Sequence, residues 1–269
     1  MVSSGRSGTA MLQKVLSGTG NIEMQHEYAV DIVQPLAVRR YLGIANEAEA
    51  REALRATHAA AIHYSEAPCW GDSSNKLSWL IPELASLLPR AKFVHLVRDG
   101  RKVASSYFHK LGAECYDDRS SAILQAFVDD PARNPAPPPE KKYWWPCPRN
   151  GDPRAQKFRS FDQFQRIAWH WAEINHVILE GLQQVAAPRQ HFVRLEDLQE
   201  STDAVRGLFE FLNLDHRDAY SATFARPHNV NRPEDRLLDA QQRTQFDALA
   251  NTMMDRLGYA NRPEYVVNY

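Results

Sequence analysis

The sequence lacks the features that mark secreted, metal-binding and membrane-spanning proteins. Its 269 residues include three cysteines, Cys69, Cys115 and Cys147, which form neither a CxxC pair nor a metal-ligand spacing, and their odd number does not suit a disulfide framework. No run approaches the roughly 20 apolar residues of a membrane span, and the N-terminus has no basic segment followed by an apolar one. We therefore expect a cytoplasmic protein that uses no metal and has no membrane partner.

The sequence also lacks an excess of charge of either sign. A formal net charge of -1 at pH 7 gives no broad basic field, so a nucleic-acid polymer is not favoured as a partner. Hydrophobic residues make up 43% of the chain, which is ample for a buried core. The protein is therefore expected to be globular, and any anion that it binds must be held by a few local groups.

Strand-like and helical segments alternate along the chain. Strands are predicted over residues 1–4, 21–28 and 92–97 and from residue 190. Helices are predicted over residues 8–17, 47–64, 81–88 and 100–110 and, from apolar residues spaced by threes and fours, around 161–178, 205–212 and 246–257. This order is typical of an α/β fold in which helices flank a central parallel sheet. Since no repeat and no linker between cores is visible, we predict one domain over residues 1–269.

An inserted proline-rich loop at about residues 129–159, DDPARNPAPPPEKKYWWPCPRNGDPRAQKFR, interrupts this alternation. Its prolines exclude a regular helix or a central strand. A loop of this length inside a domain is usually functional or disordered. The cluster of Tyr143, Trp144 and Trp145 indicates a segment that packs on something, either as a cap over the core or as a lid over a substrate. Both interpretations remain open at this stage.

The stretch SSGRSGTAML follows the first predicted strand and leads into the first predicted helix. Gly5 and Gly8 let the backbone come close to a ligand, Ser7 and Thr9 add hydroxyl donors, and Arg6 adds a fixed positive charge. A loop of this kind at a helix N-terminus binds phosphate or sulfate. The lysine and hydroxyl of GxxxxGK[ST] are missing in this register, so a magnesium-dependent kinase or hydrolase is not favoured.

A second motif, FVHLVRDGRKVASSYFHK, begins in the strand predicted over 92–97. Arg98 lies at the end of this strand, and Ser106 follows eight residues later inside the next helix. Ligands of parallel sheets bind at the strand ends. The fork of the arginine and the hydroxyl of the serine can grip a second phosphate, so the two motifs together indicate a nucleotide with two phosphate groups.

These motifs resemble those of the sulfotransferases that use 3′-phosphoadenosine 5′-phosphosulfate (PAPS). In that family a strand, loop and helix with [KR]SGT hold the 5′-phosphosulfate, and an arginine with a serine eight residues later holds the 3′-phosphate. The resemblance implies a P-loop-like nucleotide-binding fold. The cofactor-binding residues that it implies are Arg6, Ser7, Gly8, Thr9, Ala10, Arg98 and Ser106.

The sequence is more similar to the bacterial and tyrosylprotein branches of that family than to the cytosolic steroid and phenol enzymes, which usually carry lysine in the loop. The resemblance extends to HWAEINHVILEGL, FVRLEDL and RLGY. Two departures stand out. Residues 1–4 alone precede the loop, which leaves open a native start upstream. The late glycine-rich nucleotide loop of the cytosolic enzymes is absent, and RPHNVNRPEDR, with Arg232 as a candidate for the 3′-phosphate, lies near its place.

The resemblance implies in-line transfer of SO₃ from PAPS to a hydroxyl or amine of a small-molecule or carbohydrate acceptor, with PAP as the product and no metal. Arg6 would stabilise charge on the leaving phosphate. Glu27, at the end of the second strand, is the preferred base for the acceptor proton, and His26 is the runner-up because histidine suits neutral pH unless burial raises the pKa of the glutamate. Lys76 either faces the sulfuryl oxygens or is a solvated loop lysine, and the sequence leaves both open.

Two other functions remain as alternatives. One is a P-loop kinase that acts on a small molecule, and the other is a nucleotide-binding module without catalysis. The spacing of Arg98 and Ser106 favours the sulfotransferase. The identity of the acceptor and the oligomeric state are not readable from the sequence.

Overall fold

The computed structural model describes residues 1–224, 237–260 and 262–264, so Arg232 lies outside the described residues. The described residues contain the parallel strands β1 (Val2–Ser3), β2 (Ile22–His26), β3 (Cys69–Ser73), β4 (Phe93–Val97) and β5 (Gln190–Arg194). The helices are α1 (Thr9–Ser17), α2 (Val30–Tyr41), α3 (Glu47–Leu54), α4 (Ala60–Tyr64), α5 (Ile81–Leu87), α6 (Gly100–Lys110), α7 (Asp118–Asp129), α8 (Ala155–Arg159), α9 (Gln163–Leu182), α10 (Leu195–Glu200), α11 (Thr202–Leu212), α12 (Asp218–Phe224) and α13 (Ala240–Arg256).

Hydrogen bonds of the first residue join two groups of strands side by side. One group has the order β1-β4-β5, and the other consists of β2 and β3. The Met1 ammonium donates to Asp72 O at 2.6 Å, and Ser74 N donates to Met1 O at 3.4 Å. These contacts place β3 beside β1, which gives the spatial order β2-β3-β1-β4-β5. The predicted α/β class with parallel strands and flanking helices is confirmed.

The centre of the fold is β4 packed under the long helix α9. All five residues of β4 are buried, as expected for a strand covered on both faces. An Asp162–Gln165 capping box begins α9, with the Asp162 carboxylate accepting from Gln165 N at 2.8 Å. One buried polar contact ties the two elements, because His95 Nε2 lies 3.0 Å from Asn175 Oδ1. The position of α9 over the sheet is therefore set by a hydrogen bond as well as by apolar packing.

Two elements near the N-terminus were not predicted, α2 and β3. The helix α2 contains Pro35, which removes a backbone donor from the helix interior. The strand β3 has the sequence CWGDS, which lacks the β-branched residues typical of strands. Its pairing with β2 stabilises it instead, and Gly71 allows a close approach because a Cβ there would lie 2.6 Å from Met24 Sδ.

Other boundaries differ slightly from the prediction. The strand predicted over residues 21–28 ends at His26, and Glu27 begins a turn with a positive φ of 52°. The helix predicted over 47–64 contains a π-helical turn at Arg55–Ala59 between α3 and α4.

The proline-rich segment is largely irregular, as predicted, and its tryptophans pack into the core. Trp144 and Trp145 are 3% and 7% exposed. Trp144 Nε1 donates to Pro138 O at 2.6 Å, and Trp145 Nε1 donates to Glu114 O at 2.7 Å. Gln34 Nε2 from α2 donates to Trp144 O at 2.8 Å. These contacts show that the segment is fixed on the core at its aromatic cluster.

We expect Trp144→Ala to lower the free energy of unfolding by about 3–5 kcal/mol, because it removes a buried indole and its hydrogen bond. Tyr143→Ala, at the half-buried neighbouring position, should lower it clearly less. Urea unfolding of both variants measures the difference. An unfolding midpoint of Trp144→Ala equal to that of the parent protein would contradict the packing described here.

Candidate functional site

Four candidate residues lie at one edge of the sheet. Because β1 to β4 are parallel, their carboxyl ends meet there, and the chain continues into the loop with Arg6, into Glu27, into Lys76 and into Arg98. Such an edge is where ligands of open α/β sheets bind. Residues that are distant in the sequence are thus brought to one place by the strand order.

The loop after β1 requires glycine at two positions. Gly5 has a φ of 76°, and a Cβ on it would lie 2.0 Å from the Tyr107 hydroxyl. Gly8 has a φ of 87°, and its Cβ would lie 2.7 Å from Leu195 Cδ1. Arg6, between them, also has a positive φ, 55°, which is uncommon for a residue with a side chain. The glycines therefore let the loop turn tightly against α6 and α10.

The start of α1 is open toward this loop. Gly8 is the N-cap, the first turn carries no acidic residue, and no described side chain caps it. The first backbone N–H groups of a helix, here those of Thr9 and Ala10, have no partner within the helix. They form a site with partial positive charge, which we call the anion cradle together with the loop 4–8.

The Ser7 hydroxyl, predicted as a donor to the anion, makes its hydrogen bonds inside the loop. It is fully buried and donates to Gly5 O at 3.0 Å, and it lies 3.1 Å from Ser4 Oγ. Its role in the structure is to hold the loop in shape. The backbone N–H of Ser7 remains the group that can contribute to anion binding.

Arg6 is held by both residues of the second motif. Arg6 Nε donates to Ser106 Oγ at 2.9 Å, and Arg98 Nη1 donates to Arg6 O at 3.0 Å. Asp99, next to Arg98, caps α6 by accepting from Arg101 N at 2.9 Å. The two motifs that were recognised separately in the sequence thus form one connected group.

Glu27 lies between cations at the same edge. It forms an ion pair with Lys141 of the proline-rich segment. The Asn75 amide lies between Glu27 and Lys76, with Nδ2 3.1 Å from Glu27 Oε1 and Oδ1 3.3 Å from Lys76 Nζ in the orientation that satisfies both. The same amide packs against Gly5. The side-chain amide of Asn75 therefore lies between Glu27 and the loop that carries Arg6.

The charges around Glu27 keep its carboxylate ionised. Burial alone raises its pKa, but Lys76, Lys141 and His26 outweigh burial and leave the pKa below its usual value. Glutamate would suit neutral pH better than histidine only if burial raised its pKa. Because the pKa of Glu27 is lowered instead, this condition is not met. Glu27 is present as a carboxylate that can accept a proton.

Lys76 is buried, so its interpretation as a solvated loop lysine is wrong. It is 6% exposed, and its Nζ lies 4.5 Å from the centroid of the Trp145 ring. Burial lowers its pKa to about 8, with Glu27 acting in the opposite direction. Lys76 therefore carries its charge at neutral pH and loses it in mildly alkaline solution.

His26 is exposed and held by β3. Its Nδ1 lies 2.9 Å from Ser73 O and 2.8 Å from Ser73 Oγ. Because a carbonyl oxygen can only accept, Nδ1 carries a proton, and Nε2 is the basic nitrogen of the neutral ring. His26 thus stays available as the alternative base.

Two residues of this group were not identified from the sequence, Asn75 and Lys141. Asn75 adjoins Lys76 in DSSNKLSW, but nothing in that stretch indicates which neighbour its amide meets. Lys141 lies 114 residues from Glu27, inside a segment recognised by its prolines and aromatics rather than by its lysines.

The fold and this edge define an α/β protein in which Arg6 and the start of α1 could hold an anionic group. Residues 1–134 match the Sulfotransferase family, and this stretch includes both motifs described above. The match places the chain in a sulfotransferase family.

Among solved structures, the chain is similar to the "Sulfotransferase Domain from the Curacin Biosynthetic Pathway" at 14% sequence identity, with a TM-score of 0.47. That similarity covers 91% of this chain and 80% of the other one. No curated protein matches the chain. Among the described residues, no group of three or more His, Cys, Asp or Glu side chains is arranged to hold a metal ion, and no helix is long and apolar enough to cross a membrane.

We expect Gly8→Ala to destabilise the protein more than Gly20→Ala. Both glycines have a positive φ, 87° and 75°, but a Cβ at Gly20 meets nothing within 4 Å, whereas one at Gly8 meets Leu195. Gly20→Ala should cost about 1 kcal/mol for the backbone alone, and Gly8→Ala an additional 1–3 kcal/mol or so for the overlap. Equal unfolding free energies in urea would contradict close packing of the loop on α10.

Proposed function

We propose that this protein is a PAPS-dependent sulfotransferase with the anion cradle as its nucleotide site. The observation that carries the proposal is the contact of Arg6 with Ser106 and of Arg98 with Arg6 at the sheet edge. A nucleotide with phosphates on the 5′ and 3′ positions of one ribose needs its two phosphate sites close together. The direct contact between the two motifs supports this arrangement.

The residues fit the nucleotide in charge and in shape. The N–H groups at the start of α1 and the Arg6 guanidinium would hold the 5′-phosphosulfate, with Ser7, Gly8, Thr9 and Ala10 supplying the loop and first turn. Arg98 and Ser106 would hold the 3′-phosphate. PAPS, when bound, supplies the activated sulfuryl group, and the product nucleotide is PAP.

Glu27 is the proposed base for the acceptor hydroxyl or amine. It is ionised, it lies beside the loop of Arg6, and the ammonium of Lys76 lies next to it. We propose that Lys76 donates to the sulfuryl oxygens while Arg6 stabilises charge on the leaving phosphate. His26 is the alternative base. The acceptor is proposed to be a small molecule or a carbohydrate.

The Glu27–Lys141 ion pair supports a position of the proline-rich segment beside the acceptor. This segment packs on the core through Trp144 and Trp145 and reaches the proposed base through Lys141. The predicted alternatives of cap and lid are therefore compatible, since one end of a segment can be fixed while a neighbouring side chain meets the acceptor.

We expect Arg98→Ala to weaken binding of PAP about 10- to 100-fold, and binding of adenosine 5′-phosphosulfate much less, because the second ligand has no 3′-phosphate. Calorimetric titration without metal measures both affinities. Arg101→Ala, in the first turn of α6 shortly after Arg98 but paired with Asp99, is the matched control and should affect the two ligands equally.

Equal losses for both ligands in Arg98→Ala would remove Arg98 from the 3′-phosphate site. Binding of PAP without sulfuryl transfer to any pooled acceptor from PAPS would leave the nucleotide-binding module as the function. A response to ATP with magnesium and none to PAP would favour the kinase.

We expect kcat/KM to fall above about pH 8, approaching tenfold per pH unit, because Lys76 loses its proton there and can no longer donate as a cation. In Lys76→Arg the charge persists, so this alkaline decline should disappear even where the rate is lower. Lys142→Arg, at an exposed lysine, should keep the decline. An unchanged alkaline decline in Lys76→Arg would exclude Lys76 as its source.

A further inference from the structure

A small cavity adjoins Lys76. Its volume is about 10 Å³, and α2, the Trp144–Pro146 stretch and α9 enclose it. Polar groups on its lining belong to Gln34, Asn75, Lys76 and His170. The volume is close to the smallest that can hold one water molecule.

Two buried acceptor atoms of this lining have no hydrogen-bond partner among the described residues. They are Gln34 Oε1 and His170 Nε2, and both side chains belong to residues that are 2% exposed. The amide nitrogen of Gln34 is already used, since it donates to Lys141 O and Trp144 O. An unsatisfied buried acceptor is unfavourable, so each atom calls for a donor.

The hydrogen bonds of Tyr116 determine the tautomer of His170. The Tyr116 hydroxyl donates to Pro146 O at 2.6 Å, which uses its single proton. Its oxygen, 3.1 Å from His170 Nδ1, must therefore accept from Nδ1–H. Burial, together with the charge of Lys76, lowers the pKa of His170 to about 3, so the ring is neutral. Nε2 then has no proton and is a hydrogen-bond acceptor in the lining of the cavity.

Lys76 is the donor that faces these acceptors. One of its three N–H groups is directed to Asn75 Oδ1, and the Trp145 ring covers another side. The charged groups that act on it are Glu27, which favours the ammonium, and Lys141, which disfavours it. Cys115 also lies near Lys76, but burial raises the pKa of its thiol, which stays neutral. A partner for a further N–H of the ammonium can come from the cavity, because Lys76 is part of its lining.

We propose that this cavity holds one water molecule that accepts from Lys76 Nζ and donates to His170 Nε2 and Gln34 Oε1. Three hydrogen bonds are the usual number for a buried water. His170 and Gln34 are then positioning residues, because they orient the water molecule that solvates the Lys76 ammonium and holds it in place. The part that Lys76 plays in sulfuryl transfer rests on the proposed function, whereas the water site does not.

The test is a titration of the Lys76 side chain by NMR, with ¹³C-labelled lysine and no nucleotide present. Lys76→Arg assigns the Cε signal. In His170→Phe the water loses an acceptor, and we expect the pKa of Lys76 to fall by about one pH unit, tenfold in the protonation equilibrium. In His170→Gln, whose amide can return an acceptor to the place of Nε2, the pKa should recover most of this shift.

A second variant reaches the same site without removing a polar group. Ala37 lines the cavity from α2, and Ala37→Val should displace the water and lower the pKa of Lys76 in the same direction. Ile178→Val, on α9 but outside the cavity lining, is the control, since it keeps Nε2, its tautomer and the cavity and should leave the pKa within a few tenths. Folding of each variant is checked by its melting temperature.

A Lys76 pKa that is unchanged in folded His170→Phe, or in folded Ala37→Val if the first variant does not fold, would overturn the water site. The titration needs no PAPS and no acceptor. Failure to observe sulfuryl transfer would therefore count against the proposed function and leave the water site standing. An unchanged pKa of Lys76 would count against the water site and leave the proposed function standing.

Discussion

The loop after β1 depends on contacts that α6 and its N-terminal residues make with it. Arg98 Nη1 donates to Arg6 O at 3.0 Å, and the Tyr107 hydroxyl donates to Ser4 O at 2.9 Å. Three residues of the loop, Gly5, Arg6 and Gly8, have a positive φ. Such a conformation at Arg6, which carries a side chain, persists where the surrounding structure over-determines it. The second motif therefore shapes the first, and a nucleotide would meet a loop that is already formed.

Local sequence patterns were sufficient wherever an element is stabilised by its own residues. The strand around residues 92–97 was recognised because FVHLV is apolar and β-branched, and the long helix because its apolar residues recur by threes and fours. Both anion-binding motifs are contiguous, so they could be read before any fold was known. Their mutual contact follows from the parallel pairing of β1 with β4, which brings both motifs to one edge of the sheet.

The parts that the sequence did not predict depend on neighbours far along the chain. The strand β3 has little intrinsic strand propensity and exists through its pairing with β2, yet it is the element that delivers Asn75 and Lys76 to the site. Trp145, which covers the Lys76 ammonium, belongs to the proline-rich segment. The Ser7 hydroxyl donates to Gly5 O within the loop, and the residue types of the loop do not indicate this acceptor.

Burial acts on Glu27 and Lys76 in opposite directions, and each charge counteracts the effect of burial on the other. It raises the pKa of the carboxyl and lowers that of the ammonium, while their mutual attraction keeps both charged. Lys141 adds a second cation from the proline-rich segment, so it makes the Glu27 carboxylate a weaker base. In the proposed reaction, an acceptor that displaced Lys141 from Glu27 would raise the pKa of that carboxylate. The base would then become stronger when the hydroxyl that it deprotonates is in place.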